Sequence, residues 1–355
     1  ALTSGENNTA VGYQALDAAT DSDHNTAVGY QALSAVNGSG TGGNTAVGRL
    51  AGATITSGTA NTAVGHVALY QDDDGSSSVA IGSHSLFTQN ISNAISGNTG
   101  VGAEAGYSNI TGINNTYVGY KAGAGAGGSH GENTGVGASA LVAITTGVTN
   151  TCIGRNSGTA ITIGTENTLV GDRSGVNIVG GDFNQIIGTN MQVSGADAQY
   201  QILIGHNYTG TADNTFSFGR ASNFATSTTF TTSGSCTFAF PSDERKKRNI
   251  KDNTIGLDLI NDLQTRTFQW KPAEEHPEEW EAWDEDEEGN RVYHEMDTEK
   301  VMHGFIAQEV KETLDKYGVT DSLEVWAENE KTGEQRVGEH NFVTILIKAV
   351  QELSA

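Results

Sequence analysis

Asn25-Thr26-Ala27-Val28-Gly29 decides the fold, because the chain keeps writing it. The same five residues stand at 8–12, 44–48 and 61–65. Looser copies put the closing glycine at Gly82, Gly102, Gly119, Gly137, Gly154, Gly171, Gly188, Gly205 and Gly219. The steps between the thirteen glycines are 17, 19, 17, 17, 20, 17, 18, 17, 17, 17, 17 and 14. Self-similarity at such a period marks a stack of equivalent units, each touching only its neighbours. After residue 240 the period vanishes, and charged and aromatic residues take over. A rod followed by a separate domain is therefore expected.

Thr and Val favour extended backbone, and a period of two sends one of them inward. A strand of four or five residues buries too little to stand alone; stacking coil on coil solves that. Val11, Val28, Val47, Val64, Ile81, Val101, Val118, Val136, Ile153, Val170, Ile187 and Ile204, closed by Phe218, are expected to form the buried file. Each such side chain contributes roughly 1.5–3 kcal/mol when fully covered. The glycine marks a tight bend or close backbone approach, and the asparagine suits a turn. A second apolar register, Ala15-Leu16, Ala32-Leu33 and Val67-Ala68-Leu69, gives each coil two apolar faces. One is expected to face the coil interior and the other neighbouring chains. The longer steps carry Gly/Ser/Thr-rich inserts at 37–43 and 123–131, which read as surface loops on one side of a solenoid.

Composition narrows the class. With 46 glycines but no three-residue glycine period, the chain is neither an ordinary globular enzyme nor collagen. No run of 18 apolar residues exists, so no membrane insertion is expected. The chain opens at Ala1 without a signal peptide, and targeting upstream of it is unread. The formal charge is −23, divided as −9 over residues 1–241 and −14 over 242–355. Such a surface repels nucleic acid, which is excluded as a partner.

Metal and cofactor chemistry find no pattern. Cys152 replaces Ala in a repeat and is expected to point inward as a small apolar residue, and no pairing with Cys236 is suggested. His24, His66, His84, His130 and His206 lie beside turns and make no ligand-spaced pair. Asp72-Asp73-Asp74-Gly75 lacks the fuller acidic spacing of a calcium loop and reads as a solvated turn. Glu132, Glu166, Asp172 and Asp182 read as surface or turn residues, so no pair of glycosidase carboxylates is expected. No metal and no cofactor is expected.

Residues 221–241 are Ser/Thr-rich but carry Phe224, Phe230, Phe238 and Phe240, which favours a strand-rich neck capping the last coil over a linker. Two readings stay open for 242–250. Ser242 caps a helix whose first turn holds Asp243 and Glu244; or it is a serine activated by Lys247, five residues on. A lysine serves as that base only where burial or neighbouring cations lower its pKa. Further on, the pattern predicts a helix over 255–263, a strand at 267–270 and an acidic hairpin or loop over 274–300. A helix through Tyr317, a strand at 323–326 and a helix over 341–353 with a wide apolar face follow.

The repeated Asn-Thr-Ala-Val-Gly resembles the head repeats of trimeric autotransporter adhesins and the phage tail-fibre shafts that share them, over about residues 1–220. The resemblance implies trimers of stacked β-coils, although the step of 17 is longer than the usual adhesin repeat. A second likeness is carried by five segments. They are Ser242-Asp243-Glu244-Arg245-Lys246-Lys247-Arg248-Asn249-Ile250, Leu259-Ile260, Phe268-Gln269-Trp270-Lys271, Gly304-Phe305-Ile306-Ala307-Gln308-Glu309-Val310, and Leu346-Ile347-Lys348-Ala349-Val350-Gln351-Glu352-Leu353. In order and spacing they resemble the intramolecular chaperone domain of phage tailspikes and fibres, peptidase family S74. That likeness implies a domain that trimerises, helps the preceding shaft fold and then cuts itself off. It makes Ser242 the nucleophile, Lys247 the base, Asp243 a residue holding the site together, and Pro241-Ser242 the broken bond.

The expected fold is mainly β: a trimeric stacked β-coil or β-roll rod over 1–220, a neck over 221–241, and a small α+β chaperone and autoprotease domain with a C-terminal helix over 242–355. The expected function is a structural phage tail fibre or appendage for host attachment, a virion protein assembled in the host cytoplasm. Its only enzymatic act would be autoproteolysis. Expected partners are two further copies in a homotrimer, other tail or virion proteins through residues upstream of Ala1, and a host surface receptor of glycan or other chemistry. A bacterial trimeric surface adhesin and a fragment of a glycan-degrading tailspike are the alternatives. The membrane β-barrel that ends such adhesins is missing from the sequence pattern, which favours the fibre.

Overall fold

A computed structural model describes residues 4–37, 40–92, 95–221, 223–227, 238–239, 244–277, 283–285, 291–293 and 297–355. The chain divides into two compact units, residues 1–243 and 244–355.

The first unit is a β-solenoid. Each repeat supplies one short strand, from Thr9–Val11 through Thr168–Val170, and successive strands pair parallel and in register. Thr26 lies beside Thr45, Ala27 beside Ala46 and Val28 beside Val47, so each column holds one repeat position. Near the C-terminal end the strands lengthen from three to five residues, at Gln185–Thr189, Ile202–His206 and Phe216–Arg220. Asn223–Ser227 and Phe238–Ala239 then add antiparallel, completing a 15-stranded sheet. An antiparallel hairpin gives the last parallel strand's edge a partner, which blunts an otherwise open template. Cys236, Phe230 and Phe240 lie outside the described residues.

The sheet corrects the expected inward file. The middle residue of each triplet is the one that points inward: Ala27, Ala46, Ala80, Tyr117, Cys152, Leu169, Ile186 and Leu203 are all buried. With alternation fixed by the pleat, the Thr before and the Val after must both face outward. The valine file is accordingly half-buried or exposed in the single chain. The interior opposite the middle file is filled by the second register, Leu16, Leu33, Leu69, Leu86 and Leu141. Those leucines sit at left-handed φ between 47° and 54°. Such strain costs about 1–3 kcal/mol per residue and is offset by burial worth roughly 1.5–3 kcal/mol.

The glycine that closes each strand is required twice over. Its φ runs from 130° to 147°, a region L side chains rarely adopt. A Cβ on Gly119 would also lie 2.7 Å from the carbonyl of Gly137 in the next coil. Coils therefore approach backbone to backbone along this column.

The asparagine that precedes most strands, from Asn25 to Asn184, does more than turn the chain. It is buried, and its Oδ1 accepts the backbone N–H of the corresponding residue one coil on. Asn61 N–H donates to Asn44 Oδ1 at 2.9 Å, Asn150 N–H to Asn133 Oδ1 at 2.9 Å, and Asn167 N–H to Asn150 Oδ1 at 3.1 Å. Its Nδ2 donates to a turn carbonyl 14 residues ahead, as from Asn150 to Gly164 at 2.8 Å. The hydrogen-bond ladder thus continues through the bend, where backbone alone could not reach. Ser78 interrupts the column, and Gln89 repairs it. Gln89 Nε2 donates to Ser78 Oγ at 2.8 Å, and Asn98 Nδ2 donates to Gln89 Oε1 at 2.9 Å.

The interior changes character in mid-solenoid. One apolar cluster ends at Leu86 and another begins at Ala105. Between and beside them sit buried Asp72, Gln89, Asn109 and His130. Asp72 accepts Gln89 Nε2 at 2.6 Å and the N–H groups of Gly75 and Ile91 at 3.2 and 3.3 Å. Burial nonetheless raises its carboxyl above the usual range. Asp73 and Asp74 accept the hydroxyls of Thr56 and Ser57, so the acidic run is tied into neighbouring turns. Tyr117 fills the space left by Gly123 in its own coil and by Gly135 in the next strand, where an added Cβ would lie 2.2 and 3.1 Å from its ring. Its hydroxyl lies 2.8 Å from His130 Nδ1 and 3.1 Å from Asn115 Oδ1. The insert at 123–131 is thus not only a surface loop: it sends His130 inside. Cys152 is buried as expected, and burial pushes its thiol up to about 12.

Two expectations follow. Asn150→Ala strips Asn167 N–H of its acceptor and the Gly164 carbonyl of its donor. At about 1–3 kcal/mol for each buried group left unpaired, the urea midpoint of the solenoid falls clearly; an unchanged midpoint would contradict the ladder. His130 provides a pH test, because burial lowers its pKa from 6.5 to about 4. The unfolded chain takes up the proton first, so the contribution is whole above pH 6.5 and is lost as pH falls towards 4. At about 1.4 kcal/mol per pH unit the loss reaches about 3 kcal/mol. Melting of wild type and His130→Gln at pH 7.5 and 4.5 should show the wild type losing more on acidification.

Candidate functional site

Two features of the chain carry functional potential: the outward face of the solenoid sheet and the C-terminal unit. The first follows from the register. Thirteen parallel strands, Thr9–Val11 to Phe216–Arg220, each present their first and third residues outward. No Asp, Glu, Lys, Arg or His stands at any of those positions, in a chain of net charge −23. Twelve steps of about 4.8 Å make the face roughly 58 Å long. Threonine methyls and aliphatic side chains cover it, with Ile187 at 54% exposure and Ile204 at 41%. Monomeric proteins rarely leave an apolar strip of this length to water.

Beside the face, side chains pair from coil to coil. Gln31 Nε2 donates to Gln14 Oε1 at 2.8 Å, Lys121 meets Glu104 at 3.5 Å, and Arg155 clamps Asp172 through two hydrogen bonds of 2.9 and 3.1 Å. Arg155 holds the Asp172 carboxyl below its usual range. Asp182 accepts the Thr165 N–H at 2.7 Å. Asp172 and Asp182 therefore act within the coil surface.

The C-terminal unit is α+β. It holds α1 (Leu257–Asp262), α2 (Ala307–Lys316), α3 (Thr320–Leu323) and α4 (Val343–Leu353). Arg266–Phe268 pairs antiparallel with Met302–Gly304, Trp283–Glu285 with Arg291–Tyr293, and Trp326–Glu328 with Gln335–Val337. The strand expected at 323–326 begins three residues later. Thr320–Leu323 is a helical turn stopped by Glu324 at φ 51°, and Val325 is buried before the hairpin starts. The hairpin's second strand was not foreseen, because Gln335–Val337 has no apolar alternation.

The core unites Leu259, Val310, Leu314, Val325, Phe342 and Ile345. Ion pairs fix the elements around it. Arg266 makes a two-pronged contact with Glu309 at 2.9 and 2.8 Å. Lys316 Nζ and the Tyr317 hydroxyl both donate to Asp262 Oδ2 at 2.6 Å, tying α1 to α2. These donors hold the Glu309 and Asp262 carboxyls below their usual range. Helix α4 buries Ile345 and Ala349 but shows water Val343, Leu346, Ile347, Val350 and Leu353, the last two at 60% and 71% exposure.

Of the expected catalytic residues, Pro241, Ser242 and Asp243 lie outside the described residues. Lys247 follows a 3-10 turn over Glu244–Lys246, is exposed, and donates its N–H to the Glu244 carbonyl at 2.9 Å. Residues 242–319 match the family model Peptidase S74, described as chaperone of endosialidase. No curated protein and no solved structure matches the chain. The chain is thus a β-solenoid rod joined to a C-terminal domain of the S74 peptidase and chaperone type. Among the described residues, no helix is long and apolar enough to cross a membrane.

Ile345→Ala removes a fully buried side chain from this domain's core. A loss of about 2–5 kcal/mol is expected, against little change for Val350→Ser on the exposed face of α4. Comparing their unfolding transitions checks which side of α4 is core.

Proposed function

We propose that the chain is a structural phage tail-fibre or appendage protein that serves host attachment as a homotrimer, with the S74-type domain as its assembly chaperone. In this reading the shaft is 1–220, the neck 221–241 and the chaperone domain 242–355. The observation that carries it is the outward sheet face, uncharged at the first and third positions of all thirteen parallel strands, in a strongly acidic chain that also holds an S74-type domain. Copies of an acidic rod repel one another everywhere except along such a face. Two side chains wide and about 58 Å long, it offers roughly 700 Å², near the ~800 Å² per partner of a standard interface. The apolar outer face of α4 gives the C-terminal domain a surface of its own for the same association.

Bringing the C-terminal domains together first shortens the search for the long-range contacts of the shaft. Self-cleavage follows. Ser242 attacks the Pro241 carbonyl carbon, its hydroxyl proton passing to Lys247. The peptide nitrogen leaves with a proton as the new amino terminus of Ser242, and water releases the Pro241 carboxylate from the ester. Asp243 helps hold the site. Lys247 is exposed in the single chain, and a lysine acts as base only when desolvated or beside other cations. Assembly, which can bury it, is therefore placed before cutting. Loss of the chaperone then removes the route back and leaves the rod kinetically trapped. The rod would meet the host receptor and the other virion proteins.

Refolding followed by denaturing mass analysis tests the scheme. Wild type should yield fragments near 1–241 and 242–355, while Ser242→Ala and Lys247→Gln should remain full length yet assemble. Disordered or monomeric Ser242→Ala would contradict separate folding and cutting roles.

A further inference from the structure

If copies meet along their outward sheet faces, as the reading above has it, something must decide which coil meets which. Insert length cannot do so. Each coil gives the sheet one strand, whether its step is 17 or 20 residues. The outward doublets of the first four coils cannot do so either, because Thr9/Val11 through Thr62/Val64 are the same pair four times. Coils six to ten, Thr99/Val101 through Thr168/Val170, repeat it with one Ile for Val. A slip by a whole coil over these regions lays Thr and Val on Thr and Val again, at almost no cost per coil.

Coil five, Val79/Ile81, differs by aliphatic exchange alone; the last three coils break the pattern in both size and polarity. Their doublets are Gln185/Ile187, Ile202/Ile204 and Phe216/Phe218, and here the strands widen to five residues. A one-coil slip there sets the Gln185 amide against Ile202, losing any partner amide at that level. The next slip-pair sets isoleucines against phenylalanine rings of different volume, which a close-packed interface resists. We propose that these three doublets are a register key within the rod itself, read by further copies of this chain. Alignment is then held by the rod, independently of the C-terminal domain. The key lies next to the neck, so copies aligned there extend in step towards the first coil.

The test uses full-length chains carrying Thr134→Cys or Thr168→Cys, mixed unfolded, refolded together and oxidised. These outward residues stand two strands apart, about 10 Å along the sheet and beyond disulfide reach in aligned copies. With the natural key, 134–134 and 168–168 cross-links are expected and 134–168 links are not. In a background of Gln185→Thr, Ile187→Val, Ile202→Thr, Ile204→Val, Phe216→Thr and Phe218→Val, 134–168 links should emerge as slipped assemblies form. Ile202→Thr with Phe216→Thr repeats the test should the sixfold variant fail to fold. Assemblies of that background without 134–168 links would overturn the key while leaving the trimer reading standing. Chains that never cross-link and remain monomeric would remove the trimer reading, and the key with it.

Discussion

The buried asparagine column is the interaction on which the rest depends. Each asparagine hands its side-chain carbonyl to the N–H of the next coil and its amide hydrogens to a turn carbonyl beyond. Backbone bonds join the coils well beyond the three-residue strand, as from Gly158 N–H to the Ser174 carbonyl at 2.9 Å and from Thr162 N–H to the Val179 carbonyl at 3.0 Å. The buried amide, with both ends engaged, carries the same coil-to-coil register through the bend before each strand. Where the column fails at Ser78, a glutamine from the same coil reaches in to replace the lost amide. Once this register is set, the alternation of the pleat follows, and with it the sorting of each triplet into one inward and two outward side chains.

That sorting explains both what was legible in the sequence and what was not. The period and the single strand per repeat were readable from Asn-Thr-Ala-Val-Gly, and the two apolar faces from the second register that adds Leu16, Leu33 and Leu69. The assignment of the faces was not. Val is the larger hydrophobe, so it reads as core. Interior volume is shared between the middle file and the second register: Ala27 and Ala80 stand beside Leu33 and Leu86, whereas the larger Tyr117 and Leu169 stand where Gly123 and Gly175 take the second register's place. The leucines at left-handed φ had no sequence signal, because bulky residues normally avoid that region. His130 was missed for a related reason: a Gly-rich insert reads as surface, although one of its residues turns inward.

In the C-terminal unit the helices were legible through apolar spacing, and Leu259, Val310, Leu314 and Ile345 are core as that spacing implies. The short strands were less so. Arg266–Phe268 is held by its pairing with Met302–Gly304 and by the Arg266–Glu309 clamp, contacts more than thirty residues apart in the chain. The motif serine carries its meaning through family likeness, and the match over 242–319 gives that likeness independent support. The two units share one physical theme. Each completes its own core and then leaves an uncharged apolar surface uncovered: the Thr/Val lattice on the sheet, and the Leu346, Val350 and Leu353 stripe on α4.

What covers the sheet decides between one chain and three. Light scattering of the full-length Ser242→Ala chain during size-exclusion chromatography measures it directly. Three copies of the 37.1 kDa chain in one particle, with the outward valines protected from solvent in hydrogen exchange of their strands, is the predicted result. A stable, well-folded particle of one chain's mass at the same concentration would contradict it.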